Sequence, residues 1–212
     1  RAAMVPVLEP SDSEEARVFT KLAFTYSEAY DTPVIVRTTT RLSHSQGVVH
    51  PEEREEIPDK PYVKNIEKNV LMPANARKRH IVVEQRLKQM AEDACSFDIN
   101  RVEYRDKKIG VITSGIPYVQ EALPDASVLK LGLVHPLPRK LIEEFAAQVD
   151  TLYVVEELEP VIEEQIRAWG IPVIGKEIFT VQGEYSANML RRAILKEEIT
   201  LTKPAAAPQR PP

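Results

Sequence analysis

The 212-residue chain is poor in the residues that build several common sites. It has a single cysteine, Cys95, which excludes an internal disulfide, a two-cysteine zinc site and a cysteine-ligated iron–sulfur cluster assembled from this chain alone. Seven glycines are about half of average usage, and neither G-x-G-x-x-G nor G-x-x-x-x-G-K-[ST] occurs, so a glycine-rich phosphate cradle is not expected. Basic residues are outnumbered 28 to 32, a net charge of −4, which excludes a nucleic-acid binder working through a basic surface. No apolar run approaches the ~20 residues that span a bilayer, and no signal peptide follows the opening arginine. The expectation is a soluble, cytoplasmic chain of one or two domains, with no nucleic-acid or membrane partner. Cys95, at a predicted helix end, reads as inert.

What is present alternates between strand and helix. Met4 to Leu8 reads as a buried strand. Ser11 and Glu14 suggest a capping box opening a helix whose apolar positions are Ala16, Phe19, Leu22, Ala23, Tyr26 and Tyr30. Asp31-Thr32-Pro33 ends it, and the β-branched run Val34 to Thr40 predicts a strand. This strand–helix–strand unit is too small to close a core, so residues 1–50 read as the last part of a larger α/β domain. The helix face of Phe19, Leu22 and Tyr26 is then expected to be exposed or covered by a neighbouring copy. Residues 51–75, with Pro51, Pro58, Pro61 and Pro73 around the run Glu52 to Glu56, predict a solvated connector. From Ala76 a long amphipathic helix places His80, Val83, Leu87, Met90 and Ala94 on one face, with His80 packed against the core. Strands are then expected at Val102–Tyr104, Ile109–Thr113, Ser127–Leu133, Leu152–Val155 and Ile171–Ile174. Helices intervene, two of them begun by Pro138 and Pro160, and the last runs through Ala187, Leu190 and Ile194. The pattern predicts a mostly parallel, doubly covered sheet. The Pro/Ala-rich tail from Lys203 reads as a linker.

Four segments are chemically suggestive. Arg37 to Ser45 follows a predicted parallel strand, at the sheet edge where α/β folds place ligands. A persisting strand would put Arg37, Thr39 and Arg41 on one face, where two guanidiniums suit a carboxylate or phosphate; surface ion pairs are the plainer alternative. Thr113-Ser114-Gly115 follows a strand and is a weak candidate anion turn. Glu156, Glu157 and Glu159 follow another strand, placed for acid–base work or merely for a helix start. His135 precedes Pro136, facing either a site or a structural turn. No histidine has metal-ligand spacing, and no Ser-His-Asp arrangement can be argued.

The strings Leu8-Glu9-Pro10-Ser11-Asp12-Ser13-Glu14-Glu15-Ala16, Arg37-Thr38-Thr39-Thr40-Arg41-Leu42-Ser43-His44-Ser45 and Pro73-Ala74-Asn75-Ala76-Arg77-Lys78-Arg79-His80 resemble the alpha subunits of indolepyruvate:ferredoxin oxidoreductase. So do Leu129 to Gly132, Pro136 to Pro138 and Tyr153 to Pro160. The likeness spans about residues 5–200 and departs around Gly115-Ile116-Pro117-Tyr118. It implies an α/β chain in which residues 1–50 end a thiamine-pyrophosphate pyrimidine-side domain and 51–75 link it onward. Residues 76–200 would form a transketolase-C-terminal-like domain, and 201–212 would lead to a further domain.

It also implies part of an oxidoreductase that decarboxylates arylpyruvates to acyl-CoA, inactive as an isolated piece. Thiamine pyrophosphate, Mg²⁺ and [4Fe–4S] clusters would be held by other parts of the full-length enzyme. The beta subunit, ferredoxin, CoA, arylpyruvate and a second copy would be its partners. Wider relatives carry an Arg-Thr-Ser-His string whose arginine approaches the substrate carboxylate; Arg41, Ser43 and His44 match it and Leu42 departs. No catalytic residue or metal ligand is implied in this chain. A stand-alone α/β interaction or assembly module is the alternative from another class.

Overall fold

A computed structural model describes residues 3–115 and 119–199. In chain order the elements are β1 (Val7–Leu8), α1 (Ser13–Tyr30), β2 (Ile35–Val36), α2 (Thr40–His44), α3 (Ile66–Asn69), α4 (Pro73–Asp93), β3 (Arg101–Glu103), β4 (Asp106–Thr113), α5 (Val119–Ala122), β5 (Ala126–Lys130), β6 (Leu133–His135), α6 (Arg139–Ala146), β7 (Thr151–Val155), α7 (Val161–Ala168) and α8 (Ala187–Leu190), which runs into a π-helical turn, Arg191–Leu195. The tail from Lys203 and the departure at residues 116–118 lie outside the described residues.

The larger sheet has the order β3-β5-β4-β7. It is parallel except for β3, which pairs antiparallel with β5, as the alternating pattern predicts. Successive residues of β4 point to opposite faces. Val111 joins Val128, Val155, Leu123 and Leu190 on one side; Ile112 joins Leu129, Val154, Ile142 and Phe145 on the other. The strand expected at Ile171–Ile174 shrinks to one bridge between Tyr153 and Ile174; Pro172 has no N–H to extend it.

A smaller sheet, β2-β1-β6, takes its third strand from far along the sequence. The run expected as one strand from Ser127 to Leu133 breaks at Leu131-Gly132, and β6 crosses to lie antiparallel beside β1. Gly132 makes the crossing sterically feasible. A Cβ there would stand 2.5 Å from the Ile99 carbonyl oxygen and 2.9 Å from Phe19 Cζ. Asn100 Oδ1 accepts the Gly132 and Leu133 N–H groups at 2.9 and 3.1 Å.

The apolar face of α1 is not left open. Phe19 is buried with Leu8, Met90, Ala94 and Leu133, and Leu22 and Tyr26 pack at the margin, Tyr26 stacked on Phe97 at 4.7 Å. The end of α4 therefore covers this face from within the chain. The cap of α1 also sits one residue later than expected. Asp12 Oδ1 accepts the Glu15 N–H, and Glu15 Oε2 accepts the Ser11 N–H, both at 2.8 Å. Glu15 is drawn inward by Lys130 and Arg101, whereas Glu14 turns outward to Arg17. His80 is exposed and lies 3.1 Å from Glu84, because the buried stripe of α4 runs through Met90 and ends at Ala94.

Residues 51–65 carry no regular structure, yet they are not a free loop: they run along α1, tied to it by ion pairs. Among the described residues, no helix is long and apolar enough to cross a membrane.

Candidate functional site

The carboxyl ends of β1, β2, β4 and β7 converge on one cavity of about 710 Å³, a size typical of small-molecule sites. Its walls bring together segments that are far apart in sequence: Glu9, Arg37 to Thr40, Ser114-Gly115, Val134-His135, Glu156 to Glu159, and Gly183-Glu184. Each of the four segments singled out from sequence contributes, and their meeting follows from the chain passing at Leu131-Gly132 from β5 of one sheet to β6 of the other, where the Leu131 N–H bonds the Thr113 carbonyl and the Gly132 carbonyl accepts the Glu9 N–H.

The expected strand through Thr40 does not persist. β2 stops at Val36, and Thr39 caps a short helix by accepting the Leu42 N–H at 3.2 Å, so Arg37, Thr39 and Arg41 do not share a strand face. Arg37 points across to Glu9 and bonds its Oε1. Glu9 is buried at the end of β1, and its Oε2 accepts the Ser114 hydroxyl at 3.0 Å. The candidate anion turn at Thr113-Ser114-Gly115 is thus filled by the protein's own carboxylate. Gly115 sits at φ +58°, with its notional Cβ 3.0 Å from Glu9 Oε1, so only a residue without a side chain fits easily.

Arg41, Ser43 and His44 all lie on α2, at the rim rather than in the cavity wall. Arg41 reaches the mouth by bonding Glu184, and its Nη1 donates to the Tyr185 carbonyl at 3.3 Å. The Ser43 and Thr38 hydroxyls are 3.1 Å apart. His44 is exposed.

The acidic segment after β7 divides into structural and rim roles. Glu156 is buried and accepts the Ile162 and Glu163 N–H groups, both at 2.9 Å, so it caps α7. Burial raises its pKa, against the lowering pull of those N–H groups and of Lys176. Glu157 accepts the Tyr185 N–H at 2.8 Å. Beneath them Lys176 Nζ bonds the Glu156 carbonyl and lies 2.9 Å from the Tyr185 hydroxyl. Burial lowers the Lys176 pKa and lifts Tyr185 to about 12. His135 ends β6 and is followed by a cis bond to Pro136; it lines the wall.

Five glutamates against one arginine in the lining make the cavity body inhospitable to an anion. The guanidiniums of Arg37 and Arg41 are where negative charge can be met, each in exchange for a carboxylate of the protein. Glu9 and Glu184 were not singled out from sequence. Glu9 had a signal, a carboxylate directly after a buried strand; Glu184 had none.

No protein-family model matches the chain. Similarity to individual proteins is extensive. The indolepyruvate oxidoreductase subunit IorA of Archaeoglobus fulgidus is 37% identical over 210 residues, covering 92% of this chain and 33% of that subunit. The IorA subunit of Thermococcus kodakarensis is 38% identical over 214 residues, with the same coverage. That of Methanothermobacter marburgensis is 37% identical over 234 residues, covering 100% of this chain and 38% of the subunit. Among solved structures, the 2-oxoglutarate:ferredoxin oxidoreductase of Magnetococcus marinus, with 2-oxoglutarate, coenzyme A and succinyl-CoA bound, superposes with a TM-score of 0.67. The match covers 91% of this chain and 42% of that one at 19% identity, which speaks to fold. The chain spans about one third of the length of the curated relatives it matches, and over that third it is similar in sequence to IorA subunits of indolepyruvate oxidoreductase.

Proposed function

We propose that this chain serves, within a full-length subunit, to hold the carboxylate end of a 2-oxo acid. The enzyme would be a cytoplasmic one that oxidatively decarboxylates arylpyruvates such as indolepyruvate to acyl-CoA, assembled with a beta subunit and passing electrons to ferredoxin. The observation that carries the reading is the 37–38% identity, across nearly the whole chain, to subunits bearing that name. The rim geometry supports it. Arg41 presents a planar fork suited to a carboxylate, on the same short helix as Ser43 and His44. A guanidinium there orients the substrate rather than reacting with it. Glu184 holds the fork in this structure, so substrate binding at Arg41 exchanges one carboxylate for another.

The iron–sulfur clusters of such an enzyme do not fit these residues. One cysteine cannot ligate a four-thiolate cluster, and among the described residues no group of three His, Cys, Asp or Glu is placed to hold a metal ion. The [4Fe–4S] clusters are therefore assigned to other parts of the full-length protein, and on the resemblance alone thiamine pyrophosphate and Mg²⁺ are placed there too.

The test is Arg41→Ala in that full-length enzyme. Losing charged hydrogen bonds of about 1.5–3 kcal/mol should raise KM for indolepyruvate by about 10-fold to 100-fold. His135→Ala should leave KM within about twofold. Equal effects of the two substitutions would refute the assignment.

A further inference from the structure

Helix α2 has no buried residue, so it does not by itself fix where the Arg41 guanidinium points; the opposing rim does. That rim is the irregular segment 175–185 between α7 and α8. Thr180 to Glu184 are exposed and turn at Gly183, at φ +79°. Tyr185 directly follows them and is only 1% exposed. Its ring belongs to the cluster of Leu123, Val155 and Leu190 and is tilted against Phe179 at 5.5 Å. Its hydroxyl donates to the Thr180 carbonyl and accepts from Lys176 Nζ at 2.9 Å. Its backbone N–H donates to Glu157 Oε1 at 2.8 Å. Lys176 is tied down in turn: its N–H donates to Glu163 Oε2 at 2.9 Å, and its ammonium donates to the Glu156 carbonyl. The loop is therefore pinned at its base by Lys176 and Tyr185, as compact surface loops are. What the pinned tyrosine offers the rim is its carbonyl, and Arg41 Nη1 donates to it at 3.3 Å. Arg41 Nη2 bonds Glu184, the preceding residue, which is exposed.

We propose that Tyr185 is a positioning residue for Arg41: its anchored carbonyl keeps one edge of the guanidinium in place while the other edge exchanges Glu184 for a substrate carboxylate. The proposal rests on the reading of Arg41 as the carboxylate contact. The two bonds differ in what stands behind them. The Glu184 side chain is 54% exposed, free to swing into water once displaced. The Tyr185 carbonyl belongs to a buried residue held through its ring, its hydroxyl and its N–H. It is also neutral, so it orients the fork without cancelling the charge that an incoming carboxylate needs. A fork held at Nη1 meets the substrate already oriented, and less freedom is lost on binding. The Tyr185 hydroxyl and Lys176 act through that carbonyl rather than on the substrate.

The experiment is a double-mutant cycle in the full-length enzyme, with KM and kcat for indolepyruvate as the readouts. Tyr185→Phe keeps the buried ring and removes the hydroxyl that pins the loop. It should raise KM about 3-fold to 10-fold, the worth of one neutral hydrogen bond, with kcat kept within about twofold. On an Arg41→Ala background the same substitution should change KM by less than about twofold, because its effect passes through Arg41. Lys176→Met removes the other pin and should repeat both results. A KM unmoved by Tyr185→Phe and Lys176→Met, or an effect that persists at full size without Arg41, overturns the positioning role. Either result leaves the carboxylate reading intact so long as Arg41→Ala alone raises KM. If Arg41→Ala alone leaves KM unchanged, the carboxylate reading itself fails, and the positioning role falls with it.

Discussion

Glu15 joins the two sheets, and its replacement by glutamine is a demanding test of how they are held. Its carboxylate accepts the Ser11 N–H and Arg101 Nη2, both at 2.8 Å, and bonds Lys130 Nζ. Glu15 and Lys130 are only 9% and 7% exposed. Breaking a buried pair by removing one member costs about 3–5 kcal/mol, because the other charge stays buried without compensation. Gln retains one acceptor, and Arg101 is half-exposed and can hydrate, so the lower end, about 3 kcal/mol, is expected for Glu15→Gln. For a chain this size that is a fall in Tm of about 6–12 °C.

The pH dependence has a definite sign. Burial pushes the Glu15 pKa up, but Lys130, the Ser11 N–H and Arg101 together hold it below its ordinary value. Its contribution is therefore complete above the ordinary glutamate pKa and disappears as pH falls through the lowered one. Glu15→Gln should lose that acid limb. Adding Lys130→Met should recover most of the loss, since apolar replacement of a buried pair is often neutral. Denaturant titrations from pH 3 to 7 would check all three statements. A single variant within about 0.5 kcal/mol of the parent, or a double variant as unstable as the single one, would refute the reasoning.

Three further outcomes are expected. Glu156 has a raised pKa, so the parent should lose stability as pH rises from the ordinary glutamate value toward the raised one, and Glu156→Gln should flatten that limb in the same titrations. Gly132→Ala puts a methyl against a backbone carbonyl that cannot yield and should lower stability by about 3 kcal/mol by overpacking, read as a Tm fall in scanning calorimetry. Glu184→Gln removes the carboxylate that competes at Arg41 and should lower KM for the 2-oxo acid severalfold in the full-length enzyme; a rise would contradict the exchange at the rim.

Residues whose partners are local were legible in the sequence. The 3.6-residue period of α1 and the apolar runs of β4, β5 and β7 carry their own signals, and the structure keeps those elements. Features decided by distant partners were not. Thr39 looks like a strand residue until its hydroxyl caps α2. His80 shares a period with Met90, but α4 meets the core mainly at its far end. Leu133 continues an apolar run, yet Asn100 turns it into another sheet. The cavity has the same character: its segments each looked suggestive, while the carboxylates that neutralise their cations, Glu9 and Glu184, come from elsewhere in the chain.

The placement of β6 reaches into how the protein is made. β1 and β2 offer each other only two residue pairs, and the other neighbour of β1, β6, emerges from synthesis more than a hundred residues after it. Closing so wide a loop is entropically unfavourable until the larger sheet has fixed Gly132 in place. The edge that frames the cavity is therefore expected to assemble late, and damage to the larger sheet to be felt at the ligand end of the smaller one.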